Sequence, residues 1–325
     1  MSLTAVSGKS RLPAGIGLAP PSKTGDKLFR FVTWAMALMV LLLLLLVALT
    51  LCRGSAQSLS KFGFDYFVHT NWDPVNGDYG ALPFIYGTLV SSFLGLLIAL
   101  PLSLGTAIYL TELAPGWIRQ PAISMIEMLA AIPSVVFGVW GMYVLVPWLQ
   151  NGPYTLLSDF LGFLPTFSGP ISGRCMLSAA IVIAIMILPI ITSIAREVFR
   201  AVPLSQREAA YALGATRWEV TRLAVLTFSI RGIFGAAMLG LGRALGETMA
   251  VTMVIGNADV ISKTFFSPGN TLASKMANEY AETPAGLHLS ALFELALMLL
   301  LVTVATNIVA RVMIGAMGGS KIGRA

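Results

Sequence analysis

Arg243 and Glu247 sit four residues apart inside residues 240–257, a stretch otherwise made of apolar and small side chains. A charge at the centre of a bilayer costs on the order of 3 kcal/mol on insertion scales, so it persists mainly where it faces a polar pathway. On a helix, the i, i+4 spacing puts both side chains on one face, close enough to pair or to share a ligand. Arginine offers a planar fork of donors suited to an oxyanion and stays charged at any relevant pH. A carboxylate one turn on can pair with it in the empty site and weaken its grip during release. The same spacing describes a structural ion pair that serves only helix packing, and spacing alone leaves both readings open. Glu127 and Glu294 are the other ionisable residues within apolar blocks. Glu127 is a further pathway candidate, although near a helix end, where the cost falls, neither carboxylate needs a function. Gly242 and Gly246 form a GxxxG pair, which predicts a close helix contact rather than a ligand cradle.

Residues like these need a membrane around them, and the composition supplies one. Charged residues are 11% of the 325, against about 25% in soluble domains, and hydrophobic residues are 56%. A chain of this length with a mean hydropathy of +0.81 reads as an all-α polytopic membrane protein. The distribution of its +6 net charge says more than the size. With the apolar blocks read as six helices whose two ends share one side, most of the 21 lysines and arginines fall on that side. Arg53, Lys61, Arg174, Lys263 and Lys275 lie opposite. The positive-inside bias then makes both termini cytoplasmic. The basic excess is a topology signal, and nucleic acid is the weaker reading of it. Cys52 and Cys175 cannot make a disulfide framework, and no metal-ligand spacing occurs.

The blocks that must position the charges follow in order. Residues 1–30 are polar and read as a tail. The first span covers about 31–51; no small-x-small cleavage site follows its leucine run, and Leu51 before Cys52 suits no lipoprotein signal. An outer segment, 52–83, is rich in aromatics and turn formers. Further spans are expected near 84–110, 122–149, 174–195, 232–255 and 288–309, each long enough to cross. Arg243 and Glu247 fall within the fifth span, and Glu127 and Ile132-Pro133 within the third. No phosphate-binding G-x-x-x-x-G-K-[ST] occurs, since the glycine cluster 240–246 is followed by Glu247 instead of lysine. The chain is therefore expected to have no enzyme activity of its own.

The hydrophilic middle, 196–231, carries Glu208-Ala209-Ala210-Tyr211-Ala212-Leu213-Gly214. Ser205 precedes Glu208 by three residues, the spacing of a capping box, and Gly214 suits a left-handed helix end. A second amphipathic stretch, 216–226, sets Trp218, Val220, Leu223 and Leu226 among Arg217, Glu219 and Arg222. Two short helices about a glycine turn make a projection that fits a partner's groove, while an interfacial helix held by anionic lipid has the same pattern. The residues resemble the EAA loop of ABC importer permeases: Glu208, Ala209, Ala210, Gly214 and Leu226 match, whereas Ala224 and Thr227 stand where isoleucine and proline are usual. In that family the loop docks on the ATP-hydrolysing subunit. The resemblance implies docking here through Glu208, Ala209, Ala210, Gly214, Arg217 and Trp218.

Longer motifs narrow the resemblance. LGRALGETMAVTMVIGN at 241–257, IPSVVFGVWG at 132–141 and GALPFIYGTL at 80–89 resemble the PstC-type permeases of phosphate-specific ABC importers, over about 72–310. Sulfate and molybdate permeases usually continue the Arg-Ala-Leu-Gly-Glu core with an aromatic-Gly pair, unlike Thr248-Met249-Ala250-Val251 here. The resemblance implies a type I ABC importer (MetI-like) permease fold in a prokaryotic inner membrane. The permease domain would span 84–312, between a first-helix and periplasmic segment, 31–83, and a cytoplasmic tail, 313–325. It implies a heterodimer with a sister permease and two ATPase subunits that bind ATP and Mg, with no cofactor in this chain. A periplasmic or lipid-anchored phosphate-binding protein would deliver substrate, and phosphate would pass Arg243 and Glu247. A permease for another oxyanion, sulfate or molybdate, and a phosphate-sensing membrane scaffold are the alternatives; a scaffold needs no charge facing a pore.

Overall fold

The computed structural model describes residues 23–317. The tail expected over 1–30 lies outside the described residues as far as 22, and that over 313–325 from 318 onward. Among the described residues, five helices are long and apolar enough to cross a membrane, six if one bent pair counts as a span. The chain forms two compact units, Met1–Thr50 and Leu51–Ala325. The described part of the first belongs to one helix, α1 (Lys23–Gly54), which begins before the expected 31 because nothing in Lys27–Arg30 breaks a helix. Its leucine run 41–46 is exposed on every side within that unit, as suits a helix solvated by lipid tails.

The second unit continues with α2 (Ala56–Phe62), α3 (Asp65–Val68) and a hairpin of β1 (Trp72–Asp73) and β2 (Asp78–Tyr79). The expected turn formers make it: Asp73 accepts from Val75 N at 2.9 Å, and Gly77 takes φ +65°. Then comes α4 (Leu82–Ile108), continued by a π-turn over Tyr109–Leu113, so little of the turn expected at 111–121 remains. The third expected span is not one helix. It divides into α5 (Gly116–Ala131), α6 (Ser134–Trp140) and, past a π-turn, α7 (Val146–Gln150), with a 92° bend between α5 and α6. Pro133 has no N–H to continue the ladder and forces Ile132 into the extended region, at ψ 130°, which ends α5.

After α8 (Pro153–Leu161), α9 (Met176–Arg200) forms the centre of the unit. It packs along α4, with Ile183, Ile187 and Ile191 fully buried. Gly95 of α4 permits the approach, since a Cβ there would lie 2.8 Å from Ile183 Cγ2. α9 also runs past the expected end at 195, and takes Arg196 into the packed region at 8% exposure. Next come α10 (Leu204–Ala212), α11 (Arg217–Val220) and α12 (Thr227–Leu245), the last two joined through a π-turn, Thr221–Leu226. Thr227, where proline is usual, keeps its N–H and lets the helix run on. α13 (Met249–Val254), α14 (Leu272–Glu279) and α15 (Leu287–Met317) complete the chain.

The hairpin, α14 and the start of α15 are locked by charge. Lys275, buried on α14, bonds Asp259 and, at 2.6 Å, Glu279, with the Trp72 ring 5.1 Å away. Trp72 Nε1 donates to Glu279, and His288 Nε2 lies 3.0 Å from the same carboxylate oxygen. Burial pushes the Glu279 carboxyl up, but bonds from Lys275, His288 and Trp72 outweigh it and hold it below its ordinary value. Cys52 is exposed and Cys175 buried, both as free thiols.

Candidate functional site

Arg243 and Glu247 do not share a helix. α12 ends at Leu245, Gly246 caps it, and α13 begins only at Met249, so the fifth expected span breaks between the two charges. A flexible glycine at 246 and the β-branched Thr248, both poor helix formers, permit the break. The i, i+4 geometry is therefore lost, and no ion pair joins the two side chains among the described residues. Glu247 instead turns back over α13, where its Oε1 accepts from Ala250 N at 3.4 Å. Both residues still border one narrow cleft, with Ala244, against Ile183, Met186 and Ile187 in the middle of α9. Arg243 is exposed and makes no hydrogen bond within the described residues. Its donors stand free beside a carboxylate that is occupied elsewhere.

The GxxxG contact expected at Gly242 and Gly246 is not made among the described residues. Nothing lies within 4 Å of a Cβ built on Gly242, and only Gly242 O approaches one built on Gly246. The close contact is at Gly240, where a Cβ would meet Ile191 Cδ1 at 2.7 Å. The face carrying Gly235, Leu239 and Gly242 is open.

Glu127 and Glu294 lie elsewhere. Glu127, on α5, pairs with Arg196 of α9 at 3.4 Å. Arg196 is nine residues beyond Ile187, roughly 13 Å along the helix axis. Glu294 is buried in α15, and neither of its carboxylate oxygens finds a partner within the described residues. Neither glutamate borders the Arg243 cleft.

The loop forms the two short helices expected, with different caps. Pro203, in extended backbone, precedes α10, so Ser205 falls inside the first turn and caps nothing. The capping box sits instead on the second helix: Thr216 Oγ1 accepts from Glu219 N at 3.4 Å, and Glu219 accepts from Thr216 N at 2.7 Å. Gly214 ends α10 as expected, at φ +82°. Ala215 N donates to Ala210 O at 3.2 Å and Gly214 N to Tyr211 O at 2.9 Å, the two bonds of a Schellman motif. Glu208, Ala209, Arg217 and Trp218 are exposed, Ala210 is half-buried, and a groove of about 610 Å³ runs between the two helices over Ala209, Ala210, Leu213 and Leu223.

One constellation was not visible in the sequence. Arg207 Nη1 lies 2.8 Å from both carboxylate oxygens of Glu112, and its Nη2 donates to Phe199 O at 2.7 Å. The partners stand 95 residues apart, and no local pattern joins them.

The family model described as a binding-protein-dependent transport system inner membrane component matches residues 99–317. The phosphate transport system permease protein PstC of Pasteurella multocida is 48% identical over 293 residues, covering 89% of this chain and 91% of that protein. The protein of that name from Haemophilus influenzae is 46% identical over 300 residues, covering 91% and 95%. Among solved structures, a bacterial ABC transporter involved in the import of the acidic polysaccharide alginate aligns with TM-score 0.57 at 15% identity, covering 88% of this chain and 97% of that one. The inward-facing MetNI methionine ABC transporter aligns at 0.51 and 14% identity, covering 72% and 94%. At such identities these two speak for the fold alone.

Proposed function

Because the chain belongs to the binding-protein-dependent transport system inner membrane components, we propose that it is a permease subunit that carries inorganic phosphate into a bacterial cell. It is a multi-pass protein of the inner membrane. The observation that carries the substrate is the likeness to phosphate transport system permeases along about nine-tenths of the chain.

In this reading the chain forms one half of a pore, and the open face of α12 around Gly242 meets a sister permease. Energy comes from outside the chain: two ATPase subunits bind ATP and Mg, and dock on the groove between α10 and α11 through Glu208, Ala209, Ala210, Gly214, Arg217 and Trp218. The exposed apolar side chains of Leu213 and Trp218 support this docking, because they have no use for water. A phosphate-binding protein delivers substrate at the hairpin end. ATP binding moves the docking helices, the bundle rocks, and phosphate passes Arg243. The free guanidinium supports that role: it can grip an oxyanion without first breaking an ion pair. Glu247, two residues past the end of α12, sets the negative charge that keeps the grip transient.

The test is transport in vesicles reconstituted with the purified complex. Labelled phosphate should accumulate only with ATP and binding protein present, and unlabelled phosphate should compete where sulfate and molybdate do not. Accumulation blocked equally by sulfate would reassign the substrate.

A further inference from the structure

Under the docking reading just given, on which the following rests, the force delivered to α10 must reach the membrane helices. α10 is badly built to transmit it by packing, because none of its side chains is fully buried. A segment with so few buried apolar contacts is held weakly in place by packing alone. Its firm attachment is Arg207, whose side chain is only 18% exposed and whose partner Glu112 is 14% exposed. Glu112 stands in the π-turn that closes α4, and Phe199, whose carbonyl takes the second guanidinium nitrogen, is fully buried in the last turn of α9. One arginine therefore ties the docking helix to the ends of the two helices that pack most closely in the bundle. It adjoins Glu208, which faces outward, so neighbouring residues serve the two faces of α10.

We propose that the Arg207–Glu112 pair is the pin through which motion of the docking helix reaches α4 and α9, so that these are positioning residues for coupling and not for docking. Geometry favours a pin over a loose surface pair. The carboxylate is held by both oxygens, the fork is also fixed by a backbone carbonyl, and both side chains are largely withdrawn from solvent.

The experiment uses the whole complex, purified and reconstituted, with phosphate moved per ATP hydrolysed as the readout. In Glu112→Gln and Arg207→Lys the ATPase subunits should co-purify and hydrolyse ATP as in the wild type. Phosphate moved per ATP should fall at least about fivefold, the lower end of ordinary coupling between sites. The exchange variant, Glu112→Arg with Arg207→Glu, restores the pair in reverse and should recover a ratio above that of either single variant. Three results would overturn the pin: an unchanged ratio in the single variants, no recovery on exchange in an assembled complex, or loss of the ATPase subunits from the single variants. A wild-type complex that retains no ATPase subunit on this loop would instead sink the docking reading itself.

Discussion

Arg243 is the residue whose removal discriminates most sharply, because it is exposed, unpaired among the described residues and set in an apolar stripe with Leu239 one turn before it. If phosphate accepts two of its N–H groups, each charge-assisted bond contributes about 1.5–3 kcal/mol, and a loss of that size in the transition state slows passage about a hundredfold or more. Arg243→Ala should therefore lower phosphate uptake by about a hundredfold while the complex still assembles, since no bond among the described residues depends on the side chain. Arg243→Lys, which keeps the charge but loses the planar fork, should fall between. Uptake at the wild-type rate in an assembled Arg243→Ala complex would remove Arg243 from the pathway. The two charges were legible in the sequence because they are costly where they stand. Their separation was not, because a break after Gly246 leaves no mark in a hydrophobic pattern that continues on both sides. Glu294 shows the opposite limit: its position was clear, but its burial depends on how α2 packs against α15.

At the scale of elements, glycine and proline were read reliably where their effect is local, and missed where it competes with length. Gly214 is the clear case. It sits at φ +82° with nothing within 4 Å of where a Cβ would stand, so the cost of a substitution there is conformational and not steric. A residue with a Cβ loses about 1–2 kcal/mol in this region, asparagine less, and proline cannot adopt it and also lacks the N–H that bonds Tyr211 O. Phosphate moved per ATP should accordingly decline in the order wild type, Gly214→Asn, Gly214→Ala, Gly214→Pro, with the last uncoupled. Equal coupling in all four would mean that the shape of the loop has no part in transmission. Pro133 was equally visible, yet the block around it was long enough for one span, and length concealed a 92° bend. Ser205 and Thr216 both precede an acid by three residues. Pro203 decides between them, by fixing the start of α10 one residue before Ser205.

For the whole molecule, the sidedness inferred from charge can be argued from geometry as well. α4 has 27 residues, about 40 Å at 1.5 Å per residue, enough to cross a hydrocarbon core of about 30 Å. It begins directly after the hairpin and ends at the π-turn whose Glu112 holds Arg207. The hairpin and the docking loop therefore lie at opposite ends of a spanning helix. α15 agrees: His288, near its start, stacks on Tyr79 of the hairpin at 5.4 Å, and the 31-residue helix then runs past Arg311 at the other end. Arg119, Arg200, Arg217 and Arg222 cluster at the loop end, which the positive-inside bias assigns to the cytoplasm. Val75 at the hairpin tip and Leu213 at the loop are each at least 90% exposed, so a cysteine at either is free to react. In a chain carrying Cys52→Ser, with Cys175 buried, Val75→Cys should react with a membrane-impermeant maleimide on intact cells whose outer membrane has been permeabilised. Leu213→Cys, in cells that lack the ATPase subunits and so leave the groove uncovered, should react only after the inner membrane is opened. The reverse pattern would turn the molecule over and place the docking groove where no ATP is available to a partner.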